Sequence, residues 1–397
     1  MSLTPFTKQQ LLPQEEKLEV EKQRSDLFIG IPKETSYQER RICLTPDAVN
    51  SLTAHGHRVM IEAGAGETSS YSDKEYSEAG AEITQDTKKV LGCPVILKVE
   101  PPTLKEIEMM NPKTLIISAI QLKTQKKEYF EALSSKKITA LAFEFIKDED
   151  GSYPAVKSLS EIAGTASVLI ASELMINQKI GKGLLLGNIT GVPPTEVVII
   201  GAGTVAEYAA RTALGLGANV KVFDNSINKL RRLQNNLNQR IFTSTIQEKI
   251  LLKSLMRCDV AIGAMRGKNR TPIVVSETMV ENMKKGAVII DVCIDTGGCF
   301  ETSEVTTHEK PTFVKHNVIH YCVPNIPSRY SKTASMSISN IISPFLLQMA
   351  EDGGIESSIR CNPGLKHGIY FYHGLLTNRS IADWFSIPYR DINLIVF

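Results

Sequence analysis

The sequence predicts an α/β protein of two units, each built on a parallel sheet. Three observations carry this. Short apolar runs alternate with amphipathic helical patterns along most of the chain, as parallel β/α units require. A polar break, Asp148-Glu-Asp-Gly-Ser152, separates two such series. A length of 397 residues suits two domains. Apolar residues make up 42% and charged residues 22%, a globular mix able to bury a core.

In order, the expected strands of the first series are Phe28–Ile31, Arg58–Glu62, Val95–Val99, Leu115–Ile120 and Ala140–Phe145. Between the first two lies a helix over Pro46–His55, started by Thr45-Pro46-Asp47. After the break a helix is expected from about Ser160 to Gln178. The glycine-rich, doubly proline-broken stretch Gly181–Pro194 reads as a loop. Strands follow at Val197–Ile200, Val220–Phe223, Val260–Ala264, Ala287–Asp291 and Val318–Val323. Beyond Ser331 the chain reads as helical, most clearly at Met336–Ala350. Residues 1–25 read as a charged extension without the basic start and apolar stretch of a secretory signal.

A formal charge of +2 offers no field for gripping nucleic acid or an anionic membrane. No apolar run is expected to reach the roughly 20 residues of a membrane span. The seven cysteines are scattered and form no Cys-x-x-Cys pair, so the sequence predicts reduced thiols, a cytoplasmic setting and no metal site.

The most informative motif is Thr195-Glu-Val-Val-Ile-Ile-Gly-Ala-Gly-Thr-Val-Ala206. An apolar strand ends in Gly201-x-Gly203-x-x-Ala206 and opens into a helix, Ala206–Leu216. The next strand ends in Asp224, 23 positions beyond Gly201. Gly201 permits the tight turn, Gly203 lets a pyrophosphate approach the backbone, and Ala206 lets helix and strand pack closely. The free N–H groups at the helix start, around Thr204 and Val205, would hold the pyrophosphate. Asp224 would accept from the ribose hydroxyls and repel a 2′-phosphate, so this Rossmann unit is expected to bind NAD rather than NADP. Arg231 and Arg232 follow close behind. Glu62-Ala-Gly-Ala-Gly66 also follows a strand but lacks the third small residue and reads as a turn.

Several segments run in the order of one known family: Ile29-Gly-Ile-Pro-Lys-Glu34, Arg41-Ile-Cys-Leu-Thr-Pro46, Glu62–Gly66, Leu97-Lys-Val99, Ser160-Glu-Ile-Ala-Gly164, the Gly201–Asp224 unit, Ile294-Asp-Thr-Gly-Gly-Cys299 and His320-Tyr-Cys-Val-Pro-Asn325. Over about residues 27–397 the chain resembles alanine dehydrogenases, a superfamily shared with the α subunit of nicotinamide nucleotide transhydrogenase. The resemblance implies a Rossmann NAD-binding domain at 155–331 and a parallel-sheet substrate domain built from both chain ends, 28–154 and 332–397, with 1–27 as an extension. It implies oxidative deamination of L-alanine to pyruvate and ammonium, a small amino- or oxo-acid substrate, and a homo-oligomer, hexamer or dimer. By position, Arg41 would bind the substrate carboxylate through its guanidinium fork. Asp295 would be the catalytic aspartate, Asn325 would lie near nicotinamide and substrate, and Ser160 and Val323 would line the cofactor.

Two positions depart from the family pattern. Its substrate-binding lysine falls on Glu100, whose carboxylate would repel a substrate carboxylate by a few kcal/mol at an effective dielectric of about 20. Its catalytic histidine falls on Gln121, which cannot take a proton near neutral pH, and no histidine lies between residues 58 and 307. Strand alternation would set Lys98 beside Glu100 and Lys123 beside Gln121. The pattern Arg41, Glu100, Gln121 also suits a related dehydrogenase for a basic or opine-type amino acid, or an NAD-binding homologue without turnover. Hydride exchange between nucleotides, as in the transhydrogenase branch, is a further alternative. His320 and Cys322 read as structural.

Overall fold

The computed structural model describes residues 25–36, 38–176, 180–267 and 270–396, the side chain of Lys123 excepted. The expected N-terminal extension up to residue 24 and the helix end at 177–178 lie outside the described residues. The first series gives β1 (Phe28–Ile31), β2 (Arg58–Glu62), β3 (Glu82–Thr84), β4 (Val95–Leu97), β5 (Leu115–Ser118) and β6 (Thr139–Ala142). The second gives β7 (Glu196–Ile200), β8 (Asn219–Phe223), β9 (Phe242–Ser244), β10 (Val260–Gly263), β11 (Val288–Asp291), β12 (Thr312–Lys315) and β13 (Val318–Tyr321). Near the C-terminus come β14 (Ile369–Tyr372) and β15 (Leu375–Leu376).

Two mostly parallel sheets result, with the same core order. One runs β15-β14-β6-β5-β4-β1-β2-β3 and the other β12-β13-β11-β10-β7-β8-β9. Among the strands of the described residues, the β6/β14, β14/β15 and β12/β13 pairs are antiparallel and the rest parallel. In both sheets the strand order reverses beside the first strand, between β1 and β4 and between β7 and β10. In open α/β sheets, ligands bind outside the carboxyl ends of the strands at such a switch point.

Alternation sorts the first sheet's side chains. Ile29, Ile31, Leu97, Ile117 and Leu141 face one core, where Ile338, Ile342 and Leu346 of the helix Ser331–Glu351 complete the packing. Ile96, Ile116 and Ala140 face another, with Phe130 and Phe371. The central strands are apolar on both faces, as parallel strands covered by helices on both sides must be.

The tail corrects the expectation of helix throughout. It adds β14 and β15 to the first sheet, because Ile369-Tyr-Phe-Tyr372 is buried along its whole length. The short strands β3, β9 and β12 carry too few apolar residues to stand out in sequence. Several expected strands also stop early: β4 at Leu97, β5 at Ser118, β6 at Ala142 and β13 at Tyr321. The apolar runs continue past these ends because the following loops are themselves buried, as with Val99 and Ile120. Glu62–Gly66 is the expected turn.

The helix Pro154–Ile176 begins earlier than expected. By length and composition alone it is apolar enough to cross a membrane, against the expectation that no run is, but the core helix of a soluble protein meets the same measure. Packing accounts for its small residues. A Cβ on Gly164 would lie 2.4 Å from the Val205 carbonyl oxygen of the helix Thr204–Gly215, so the two helices touch backbone to backbone.

Candidate active site

The glycine turn after β7 has the shape that a dinucleotide needs. Gly201 has φ +116°, and a Cβ there would lie 2.3 Å from the Ala264 carbonyl oxygen. Only glycine fits that turn. Gly203 caps the helix Thr204–Gly215 with no side-chain acceptor, and a Cβ there would meet nothing within 4 Å. The first-turn N–H groups of Thr204, Val205 and Ala206 therefore open onto space that a phosphate can fill. Asp224 follows β8, buried, with Oδ2 accepting the Ala202 N–H at 2.8 Å and Oδ1 the Ser226 N–H at 2.7 Å. Its carboxylate is tied to the turn. Ser160 lies half-buried on the helix that packs against this unit.

Arg41 lies on the loop after β1, buried, and Glu39 grips one edge of its guanidinium. Nε donates to Glu39 Oε1 at 2.7 Å and Nη2 to Oε2 at 2.5 Å. Oε1 also accepts the Arg40 and Arg41 N–H groups at 3.0 and 2.9 Å. Burial would raise the Glu39 carboxyl, but the Arg41 guanidinium outweighs it and holds the group below its ordinary range. The loop is pinned from the far end of the chain by serines. Ser328 Oγ accepts the Arg40 N–H at 3.0 Å and donates to the Gln38 carbonyl at 2.6 Å. Ser335 and Ser339 accept the N–H groups of Ile42 and Thr45 at 2.9 and 3.1 Å. Sequence reasoning missed Glu39 and these serines. The i, i+4 spacing of Ser335 and Ser339 on one helix was the available signal.

Glu100 and Gln121 meet beside this loop. Gln121 Nε2 donates to Glu100 Oε2 at 2.6 Å, and Glu100 shares a hydrogen bond with Glu39. Burial and the Glu39 charge raise the Glu100 carboxyl to about 7. It is therefore Glu100 that holds the proton between the two acids. Gln121 has a left-handed backbone, φ 44°, uncommon for a non-glycine residue and typical of sites where geometry is imposed. The strand-alternation argument fails here, since β4 and β5 end before these residues. Lys98 does not approach Glu100. It is buried, with Nζ at 2.9 Å from Glu106 Oε1 and 3.2 Å from Glu34 Oε2. The Lys123 side chain lies outside the described residues.

In the second sheet β11 ends at Asp291, and the chain enters a short 3-10 turn, Ile294–Thr296, that carries Asp295 to the surface. Buried Asp291, missed in the sequence, organises this turn. It accepts from the Cys293 and Cys299 N–H groups at 3.2 and 3.0 Å and from Ser303 Oγ at 2.7 Å. The donor atoms of Asp291, Cys293 and Cys299 lie within 4.8 Å of one another, a grouping that spacing did not reveal. Val323 is buried after β13. Asn325 has φ 54° and donates from Nδ2 to Glu39 Oε2 at 3.1 Å. Arg41, Glu100 and Asn325 thus converge on Glu39, and Gln121 joins them through Glu100. His320 is structural, bonded to Thr302 Oγ1 at 2.8 Å and the Val318 carbonyl at 3.0 Å.

The family descriptions "Alanine dehydrogenase/PNT, N-terminal domain" and "C-terminal domain" match residues 30–163 and 167–379. The chain belongs to the alanine dehydrogenase/PNT family. It is 36% identical over 367 residues to "Alanine dehydrogenase" of Mycolicibacterium smegmatis, covering 92% of this chain and 98% of that protein. It is 35% identical to "Alanine dehydrogenase 2" of Staphylococcus aureus, covering 92% and 98%. A solved structure named "L-alanine dehydrogenase" superposes with TM-score 0.85 at 32% identity, covering 91% and 99%. A transhydrogenase from Sinorhizobium meliloti shares the fold, with TM-score 0.76 at 22% identity over 89% and 99%. Alanine dehydrogenase/PNT members are NAD-dependent oxidoreductases, and the Gly201–Asp224 cradle of this chain has the form that such a nucleotide requires.

Proposed function

We propose that this chain is an NAD-linked amino-acid dehydrogenase that converts L-alanine to pyruvate and ammonium. The observation that carries this reading is the convergence on Glu39 of Arg41, from the loop after β1, and Asn325, from the loop after β13. It joins a carboxylate anchor to the mouth of the nucleotide unit. In this reading 155–331 is the nucleotide domain, and 28–154 with 332–397 the substrate domain. The protein works in the cytoplasm as a homo-oligomer.

Bound NAD supplies the acceptor for the hydride from the substrate α-carbon. The residues do the rest. Gly203 and the N–H groups of Thr204, Val205 and Ala206 take the pyrophosphate, and Asp224 takes the ribose. Ser160 and Val323 border the cofactor. Glu39 occupies one edge of the Arg41 fork, and the substrate carboxylate takes the other. Asn325 and Asp295 orient the reacting carbon and water from the nucleotide side.

A second reading is favoured by the two carboxyls, Glu39 and Glu100, standing together beside Arg41. They suit a substrate with a cationic group, such as a basic amino acid.

The test is NADH oxidation with pyruvate and ammonium, wild type beside Asp295→Asn. Turnover that disappears in the variant supports alanine dehydrogenase chemistry. NADH binding without turnover on pyruvate sinks it, and a screen of other oxo acids then decides for or against the second reading.

A further inference from the structure

We propose that Glu100 is the proton-transferring catalytic residue of this site, acting from the loop after β4 where Gln121 cannot act from the loop after β5. The proposal rests on the dehydrogenase reading above and names the group that moves the proton.

Three observations carry it. Gln121 Nε2 donates to Glu100 Oε2 at 2.6 Å, so the amide steadies the carboxyl and leaves the proton chemistry to it. Glu100 also bonds Glu39, whose oxygens hold Arg41 and Asn325, so it stands beside the carboxylate anchor and next to the contact with the nucleotide unit. Glu100 is half-buried rather than sealed. Lys98 and Glu106, by contrast, are locked in a buried ion pair and are not available.

The charged groups around Glu100 are Glu39, Glu34 and Arg41 from the chain after β1, with Lys98 paired to Glu34. Their balance, together with burial, raises the carboxyl to about 7. A group titrating there can both take and return a proton at neutral pH. Water adds to the iminium carbon of the dehydrogenated substrate as the Glu100 carboxylate takes one of its protons. Glu100 then returns that proton to the nitrogen. As the C–N bond breaks and the carbonyl forms, Glu100 takes the hydroxyl proton and passes it to the departing ammonia, so iminium and water become oxo acid and ammonium. The pair of changes at 100 and 121 is then one relocation of an acid–base group and not two losses.

The test compares wild type, Glu100→Gln and Glu100→Gln/Gln121→His by kinetics, NADH titration and infrared difference spectroscopy across the pH region of about 7. Glu100→Gln is expected to bind NADH as wild type does, to lose turnover by about 100-fold or more, and to lose the pH limb near neutrality. Part of the protonated-carboxyl band that titrates there in wild type is expected to be absent from Glu100→Gln. Adding histidine at 121 is expected to restore at least about a tenth of the lost rate. A Glu100→Gln protein that keeps both turnover and the pH limb, or an unchanged carboxyl band, overturns this role alone. Wild-type protein that binds NADH but turns over no amino or oxo acid overturns the dehydrogenase reading, and this role with it.

Discussion

Asn325 Nδ2 donates to Glu39 Oε2 at 3.1 Å, and with the bonds of Ser328 to Arg40 and Gln38 this contact joins the loop after β13 to the loop that carries Arg41. Asn325 has a left-handed backbone, φ 54°, which asparagine tolerates better than most residues. Asn325→Gly keeps that backbone accessible and removes only the donor. A hydrogen bond to a charged group contributes about 1.5–3 kcal/mol. Substrate kcat/KM is therefore expected to fall by about 10-fold or more, while NADH affinity is unmoved. Steady-state kinetics with wild-type kcat/KM in Asn325→Gly would show that the side chain matters less than its backbone.

Much of this architecture was legible in the sequence because each unit announces itself locally. The run Glu196–Ile200, the glycine turn and Asp224 lie within one short segment, and each has a backbone reason for its identity. The Glu39 cluster was not legible, because its partners come from 39, 41, 100, 121 and 325 and no local period links them. Asp291 was missed because an acid closing an apolar strand looks like a strand end, whereas here it gathers the N–H groups of Cys293 and Cys299. The expected face-sharing of Lys98 and Glu100 failed for a related reason. Period-two alternation holds only within a strand, and β4 stops at Leu97.

Ser335 shows how the C-terminal helix positions the site. Its Oγ accepts the Ile42 N–H at 2.9 Å and lies 2.9 Å from Ser69 Oγ, all buried. Ser335→Ala strands a buried backbone donor, at a cost of about 1–3 kcal/mol. Urea unfolding is expected to show a lower midpoint with an unchanged slope. An unchanged midpoint would mean that the loop around Arg41 holds itself without the serine.

Gly203 and Gly201 separate cofactor binding from folding. Alanine at 203 meets open space, so Gly203→Ala is expected to fold with wild-type stability and to lose NADH affinity by at least about 10-fold, because the methyl occupies the phosphate's place. Alanine at 201 meets the Ala264 carbonyl at 2.3 Å on a φ of +116°, so Gly201→Ala is expected to be unstable as well. Fluorescence titration with NADH and thermal melts distinguish the two. Full NADH affinity in Gly203→Ala would remove the pyrophosphate from this turn.

Glu34 ties stability to pH with an unusual sign. Burial raises its carboxyl to about 7 despite Lys98 at 3.2 Å. The folded protein therefore keeps a proton that the unfolded chain gives up near 4.5. Between those values the folded state binds more protons, so stability falls as pH rises from about 4.5 to about 7 and this contribution levels off above. The slope approaches about 1.4 kcal/mol per pH unit in the middle of the window. Glu34→Gln cannot titrate, so its stability is expected to decline less over the same window, with Glu100 still titrating in both proteins. Denaturant unfolding of both proteins at a series of pH values measures the difference. A gap between them that stays constant across the window would show that Glu34 is already ionised in the fold, and that Lys98 prevails over burial.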